Sequence, residues 1–282
     1  MANLVVIGGV ALDYLSRVKD LKARCTQILE YSENIGGMAF NTAITTARLG
    51  VRTWLVSSVG RDLPEMKTVE NLVYALHMSN QPTTRSFLFF DDTDEKIYFY
   101  RGAYHDIDVV RASRLISKAD WVHFAGVAPC FSELIKTADH EDKIVSCNPG
   151  YDLFHYDPKD RVVSDLVEKS DFLILSSSEV SHLNRPVDAM VNGAIIVTMG
   201  KSGSMVVTKK GRTQIAAYTV DVSSPFGAGD TYTGTFIASM LREDDLIKAA
   251  KMASAAGSFA VEEQTTTPKL DWKRIEKRAK KL

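Results

Sequence analysis

The sequence predicts an α/β fold: a mainly parallel sheet with helices on both faces and a small β element standing apart. Three observations predict it. Short apolar runs, β-branched or aromatic, alternate with longer amphipathic stretches along the chain. The 282 residues are 45% hydrophobic, enough to bury one large core or two modest ones. One region breaks the alternation with strand, polar turn, strand, which is a hairpin signal.

In chain order, LVVI at 4–7 reads as the first buried strand. AFNTAITTARL at 39–49 is amphipathic with a helical period, and Gly50 stops it by accepting a left-handed conformation. TWLV at 53–56 is the next strand. The hairpin pairs RSFLFF at 85–90 with KIYFYR at 96–101 across Asp91-Asp92-Thr93-Asp94, and a further strand-like piece surrounds 28–31. Helical patterns at 111–117, 133–138 and 162–168 then alternate with strands at 121–124, 144–146 and 172–175. IIVT at 195–198 is the last strand, and helices at 228–241 and 246–261 follow. Alternation of this kind implies a parallel sheet covered on both faces. There is no internal repeat, low-complexity tract or long linker. The expected organisation is one domain over 1–282, with a small β lid formed from segments near 13–35 and 82–105.

The formal net charge is -1, which argues against a nucleic-acid partner. The one basic run, WKRIEKRAKKL at the C-terminus, reads as a solvated helix face. Cys25, Cys130 and Cys147 are far apart and odd in number, so neither a disulfide framework nor a structural zinc site is expected, and a reducing cytosol fits. MANLVVIGGVALDYLS reads as a strand, not as a basic leader, and no apolar run approaches the roughly 18 residues of a membrane helix. These features lead us to expect a soluble cytoplasmic protein with no membrane partner.

Two phosphate motifs are excluded. MGKSGS at 199–204 has Ile195 where a P-loop needs its first Gly, and IGGVALD is not GxGxxG. Neither HExxH nor GxSxG occurs. SSPFGAGDTYTGTF at 224–237 is more informative. A helix opening at Ala228 and Gly229 aims free N–H groups at an anion, and the absence of large side chains lets a phosphoryl group approach. Asp230 in the first turn would take a proton from an alcohol beside that anion site. Taken alone, the stretch fits a glycine-rich turn equally well. IGGMAFNTA places Gly36-Gly37 before a helix with Asn41 on its first turn, which suits hydroxyl recognition or simple capping. Asp13, just past the first strand, suits a vicinal diol or a solvated loop.

GGVALD, GGMAFN and GAGD occur in this order and at these separations, and the chain resembles the ribokinase (PfkB-type carbohydrate kinase) family over essentially its whole length. VTMGKSG at 197–203 extends the likeness. VALDY, GGMAFNTA, VHFAG, NPGYDL and a final helix opening at Asp271-Trp272 resemble the archaeal nucleoside-kinase branch. The resemblance implies a ribokinase-like three-layer sandwich with a β lid. It implies Asp230 as general base, with Gly227, Ala228 and Gly229 as the anion hole. Asp13, Gly37 and Asn41 would bind the sugar, Thr198, Gly200 and Gly203 the nucleotide, and Glu179 would help to order magnesium and phosphate.

Three departures accompany it. Ser176 stands where the family has the Asn of an Asn-x-x-Glu motif. Ser224 and Phe226 replace an Asp and a Thr of a monovalent-cation site, which argues against potassium activation. Asn148 replaces the Asp of a related DPG segment.

The expected function is ATP-dependent phosphorylation of a primary hydroxymethyl group of a nucleoside or sugar, with Mg2+ on the nucleotide. The alternatives are a free-sugar kinase of ribokinase or fructokinase type, and a degenerate nucleoside- or sugar-binding regulator. Tyr14 and Phe40 are candidate walls for a nucleobase. The lid hairpin is a candidate homodimer interface.

Overall fold

A computed structural model describes residues 2–220, 226–263 and 265–282. Its main layer is a nine-stranded sheet in the order β13-β12-β11-β10-β9-β8-β1-β4-β5. The parallel part comprises β1 (Asn3–Gly8), β4 (Arg52–Val59), β5 (Leu72–Met78), β8 (Trp121–Ala125), β9 (Ile144–Asn148), β10 (Phe172–Ser176) and β11 (Ala194–Thr198). β12 (Ser204–Thr208) and β13 (Gly211–Ile215) add an antiparallel edge.

Period-two alternation distributes the core over both faces of this sheet. Leu4 and Val6 of β1 join Trp121, Ile174 and Ile196 under α1 (Met38–Arg48), α7 (Ala228–Glu243), α8 (Leu246–Glu262) and α9 (Trp272–Ala279). Val5 and Ile7 join Val122, Phe124, Val145 and Leu173 under α2 (Val109–Ile116), α3 (Phe131–His140) and α4 (Arg161–Lys169). Two short helices, α5 (Ser177–Leu183) and α6 (Val187–Met190), follow β10. Among the described residues, no helix is long and apolar enough to cross a membrane.

A second, four-stranded sheet has the order β3-β2-β6-β7, from β2 (Ala11–Val18), β3 (Ile28–Gly36), β6 (Thr84–Phe90) and β7 (Glu95–Tyr100). β2 is antiparallel to β3 and parallel to β6, and β6 is antiparallel to β7. The Asp91 carboxylate caps the connecting turn by accepting the N–H groups of Thr93 and Asp94. Asp13 belongs to β2, not to a loop beyond the first strand, so the residues after Gly9 leave the main sheet and start the small one.

The six buried strands and six long helical segments read from periodicity are all present. β2, β5, β12, β13, α5 and α6 are additional. β12 and β13 form an edge hairpin whose outer strand, GRTQI, is exposed at four of its five residues and carries no apolar alternation.

Candidate active site

β1 continues through β4 to β5 on one side, while β8 begins the run on the other, so the strand order switches direction between β1 and β8. Ligands of open α/β sheets bind beyond the carboxyl ends of strands at such a point. A cavity of about 360 Å3 lies there, roofed by the inward face of the small sheet. Gly9 and Ala125 line it at the ends of β1 and β8, Asp13 and Leu15 on β2, Ile97 and Phe99 on β7.

Two helix N-termini converge on its floor. α1 starts at Gly37 (φ 95°) and α7 at Gly227 (φ 80°), both in the positive-φ region glycine tolerates, and neither start is capped by a side chain. Helix geometry leaves the N–H groups of Ala228, Gly229 and Asp230 without intrahelical partners. The helices approach closely because Gly234 packs against α1: a Cβ there would meet the Thr45 Cβ at 2.7 Å and the Thr42 carbonyl oxygen at 2.9 Å. That approach brings the Asn41 Nδ2 within 2.8 Å of the Asp230 Oδ2, to which it donates. Asn41 Oδ1 is buried and has no partner, so it is a vacant acceptor.

Burial pushes the Asp230 carboxyl up to about 7; the Asn41 hydrogen bond opposes this and the charge of Asp13 adds to it. Asp13 is 7% exposed and is itself pushed up to about 6 by burial, against hydrogen bonds from Ser86 and the Gly37 backbone. Its carboxylate lies flush on Gly36, where any Cβ would collide with it. Two carboxyls with raised pKa thus face one cavity, Asp13 from the small sheet and Asp230 from the start of α7. Gly229 is exposed and lines the cavity, and an added Cβ would meet nothing within 4 Å, so the space before the α7 amides is open to a ligand group.

Along the cavity toward β10 and β11, Ser176, Glu179 and Thr198 also contribute to the lining. Ser176 caps α5 in a reciprocal capping box. Its hydroxyl accepts from the Glu179 N–H at 3.3 Å, while its N–H donates to Glu179 Oε2 at 2.5 Å. Glu179 Oε1 is buried without a partner, and burial raises this carboxyl. Gly203 (φ 86°) is pinned against β13, and Gly200 (φ 54°) begins the 3₁₀ turn Gly200–Ser202 with open space around it.

Of the site residues expected from sequence, the cavity brings together Asp13, Gly37, Asn41, Glu179, Thr198, Gly227, Gly229 and Asp230. Ala228, Gly200 and Gly203 lie outside its lining. Phe226 lines it and packs edge-on against Phe90 of β6 with ring centroids 5.6 Å apart; Ser224 falls outside the described residues. Asn148 lines it and donates to the Ile174 carbonyl at 3.1 Å.

Tyr14 and Phe40 do not line the cavity. Tyr14 alternates with Asp13 onto the opposite face of β2, where it stacks on Phe87 at 5.0 Å, and Phe40 belongs to the core under α1. The residues that do wall the cavity, among them Ile97, Phe99, Tyr104, Asp152 and Phe154, were not singled out from sequence. Alternation in KIYFYR separates residues 97 and 99 from 96, 98 and 100, but only the roof's position says which set faces inward. Five acids line the cavity (Asp13, Glu95, Asp152, Glu179, Asp230) and, among the described residues, no Lys or Arg does.

The cleft at the switch point thus sets a carboxyl beside the free amides of α7, where an anion and an alcohol could meet. The pfkB family carbohydrate kinase model matches residues 1–273, so the chain belongs to that family, whose members are phosphotransferases acting on hydroxyl groups. It is 28% identical to a nucleoside kinase of Methanocaldococcus jannaschii, with 100% of this chain and 98% of that one covered. The crystal structure of the nucleoside kinase from that organism superposes with a TM-score of 0.79 at 26% identity, covering 100% and 99% of the two chains. A Burkholderia thailandensis nucleoside kinase solved with inosine shares the fold at TM-score 0.81 and 17% identity, covering 99% and 96%. So does an E. coli protein solved with ATP and Mg2+, at TM-score 0.84 and 16% identity, covering 100% of each chain.

Proposed function

We propose that this kinase transfers the γ-phosphoryl group of ATP to the primary hydroxymethyl group of a nucleoside. The observation that carries the reading is Asp230, a carboxyl raised to about 7 at the uncapped start of α7 and held by Asn41. A base with a pKa near the working pH takes a proton from an alcohol efficiently. Its helix presents the N–H groups of residues 228–230, together with the open space before Gly229, to charge developing on the phosphoryl group. Asp13, with Asn41 and Gly37, would accept and donate hydrogen bonds to the ribose hydroxyls and so align the 5′-oxygen.

Thr198 and Gly200 would border the nucleotide, and Glu179 fits a magnesium-bearing phosphate: it has a buried, partnerless oxygen on the cavity side of the capping box. Mg2+ would come with the nucleotide's own phosphates, and Glu179 would help to order it. When bound, the ion neutralises phosphate charge. The small sheet would act as the lid that excludes water. Two contacts support this: Phe90 against Phe226, and the Tyr151 hydroxyl donating to Glu95 Oε1 at 3.2 Å, both joining the small sheet to the main layer.

A nucleoside is favoured over a free sugar because the cavity that Asp13 lines is also lined by apolar side chains, among them Leu88, Ile97, Phe99 and Phe154. The test is ADP release measured with a panel of nucleosides and free sugars side by side. Phosphorylation of a hexose or pentose faster than every nucleoside would defeat the nucleoside reading and leave the kinase standing. Saturable binding with no turnover on any member would defeat the catalytic reading in favour of a regulator.

A further inference from the structure

One buried carboxylate in the cavity has no part in the reaction described above. Asp152 lies in the 3₁₀ turn Gly150–His155 that follows β9, and it is 9% exposed. Two protein donors reach it: the Val127 N–H, 3.4 Å from Oδ2, and the Tyr104 hydroxyl, whose single proton the Ala125 carbonyl oxygen at 3.5 Å also competes for. A carboxylate accepts about four hydrogen bonds, so its capacity is only half used. The remainder opens on the cavity, which Asp152 lines.

Its support is rigid. Tyr104 is buried beneath Gly9, and Gly126 (φ 98°) has no room for a Cβ because the Tyr104 hydroxyl and Asp152 Oδ2 occupy that space. Burial raises the Asp152 carboxyl, the bonds from Tyr104 and Val127 oppose this, and the charges of Arg101 and His155 help them. Aromatic surface rims the same group. The Phe99 ring of β7 stands edge-on to Tyr104 at 6.4 Å, and Phe154, two residues on, is 40% exposed.

Resting on the nucleoside reading, we propose that Asp152 is a specificity-determining residue that accepts a hydrogen bond from the exocyclic amino group of the substrate's nucleobase. The residue types argue for the base over a second sugar hydroxyl. Asp13 already serves a diol from β2, whereas Asp152 sits among planar apolar side chains that suit a flat heterocycle. An acceptor-only group in that setting rejects a base that offers it no donor, because the buried oxygen is left unpaired.

The experiment compares adenosine with purine riboside, which lacks only the 6-amino group, and with inosine, on the wild-type protein and on Asp152→Asn. Wild type is expected to favour adenosine over purine riboside by about tenfold or more in kcat/KM. Asparagine keeps an acceptor for Val127 and Tyr104 but turns N–H donors to the cavity, so the adenosine-to-inosine ratio is expected to fall by about tenfold or more. Equal use of adenosine and purine riboside by wild type overturns the proposal and needs no variant to fold. An Asp152→Asn protein that loses activity equally on every nucleoside also overturns it, because that is the mark of a purely structural role. Turnover of free ribose but of no nucleoside would bring down the nucleoside reading and this proposal together, whereas nucleoside turnover indifferent to the 6-substituent defeats the proposal alone.

Discussion

Replacing Asp230 by asparagine separates what the fold prefers from what the reaction needs. The carboxyl stands at about 7 in the folded protein against an ordinary 3.8. A group whose pKa is raised on folding supports stability fully below its unfolded pKa and loses that support as pH rises through the folded one. At about 1.4 kcal/mol per unit, roughly three units set an upper bound near 4 kcal/mol at about pH 8. Asp230 is partly open to the cavity, and discounting for that screening leaves about 2 kcal/mol. Asparagine keeps an oxygen for the Asn41 amide to donate to but carries no charge. The variant should therefore melt about 4 °C above wild type at about pH 8, with the gap closing toward about pH 4. Its turnover should fall by about 100-fold or more. Differential scanning calorimetry across pH, paired with steady-state ADP release, checks both halves. A variant no more stable than wild type at the higher pH would refute the electrostatic reasoning, and one keeping more than about a third of turnover would refute the base assignment.

Other outcomes follow from the same geometry. Wild-type kcat/KM should decline on the acid side of about pH 7 as Asp230 takes up its proton; a flat profile down to about pH 5 would speak against that base. Ribonucleosides should outperform 2′-deoxyribonucleosides by about tenfold or more, and Asp13→Ala should narrow the gap, because the missing hydroxyl leaves a buried acceptor unpaired. Gly229→Ala should cut kcat/KM for ATP by about tenfold while shifting the melting point by no more than about 1 °C, since its Cβ meets no protein atom within 4 Å and enters the anion space; a fully active variant would show that the amides face something else. Exchanging potassium for a large organic cation at constant ionic strength should leave the rate nearly unchanged, which kinetics at saturating substrates will decide.

What the sequence disclosed was governed by periodicity and by chain order. Buried parallel strands such as LVVI and WVHF are apolar at nearly every position, so they stand out against amphipathic helices. β2 did not, because ALDYLSRV mixes Asp, Arg and Ser with apolar residues as it passes from roof to surface. α5 did not, because SSSEVSHL carries only Val180 and Leu183 as apolar residues and is held by its capping box. Of the cavity lining, Asp13, Asn41 and Asp230 were legible because each closely follows paired or spaced glycines that open a turn or a helix. Asp152 and Phe99 were not. Their place depends on a turn and a hairpin from distant parts of the chain meeting over the sheet, and short-range pattern does not encode that meeting.

The excess of acids in the cavity lining bears on how a turnover would end. On the nucleoside reading, the substrate enters uncharged, and Asp13 and Asp230 would meet only its hydroxyls. After transfer it would carry a phosphate with nearly two negative charges, in a cleft lined by five acids and, among the described residues, by no lysine or arginine. Two unit charges about 5 Å apart at an effective dielectric near 20 repel by about 3 kcal/mol. On that reading, phosphorylation would turn a neutral ligand of this cleft into one that its ionised acids oppose. Product release would then draw on the reaction's own free energy through the groups proposed to recognise the substrate.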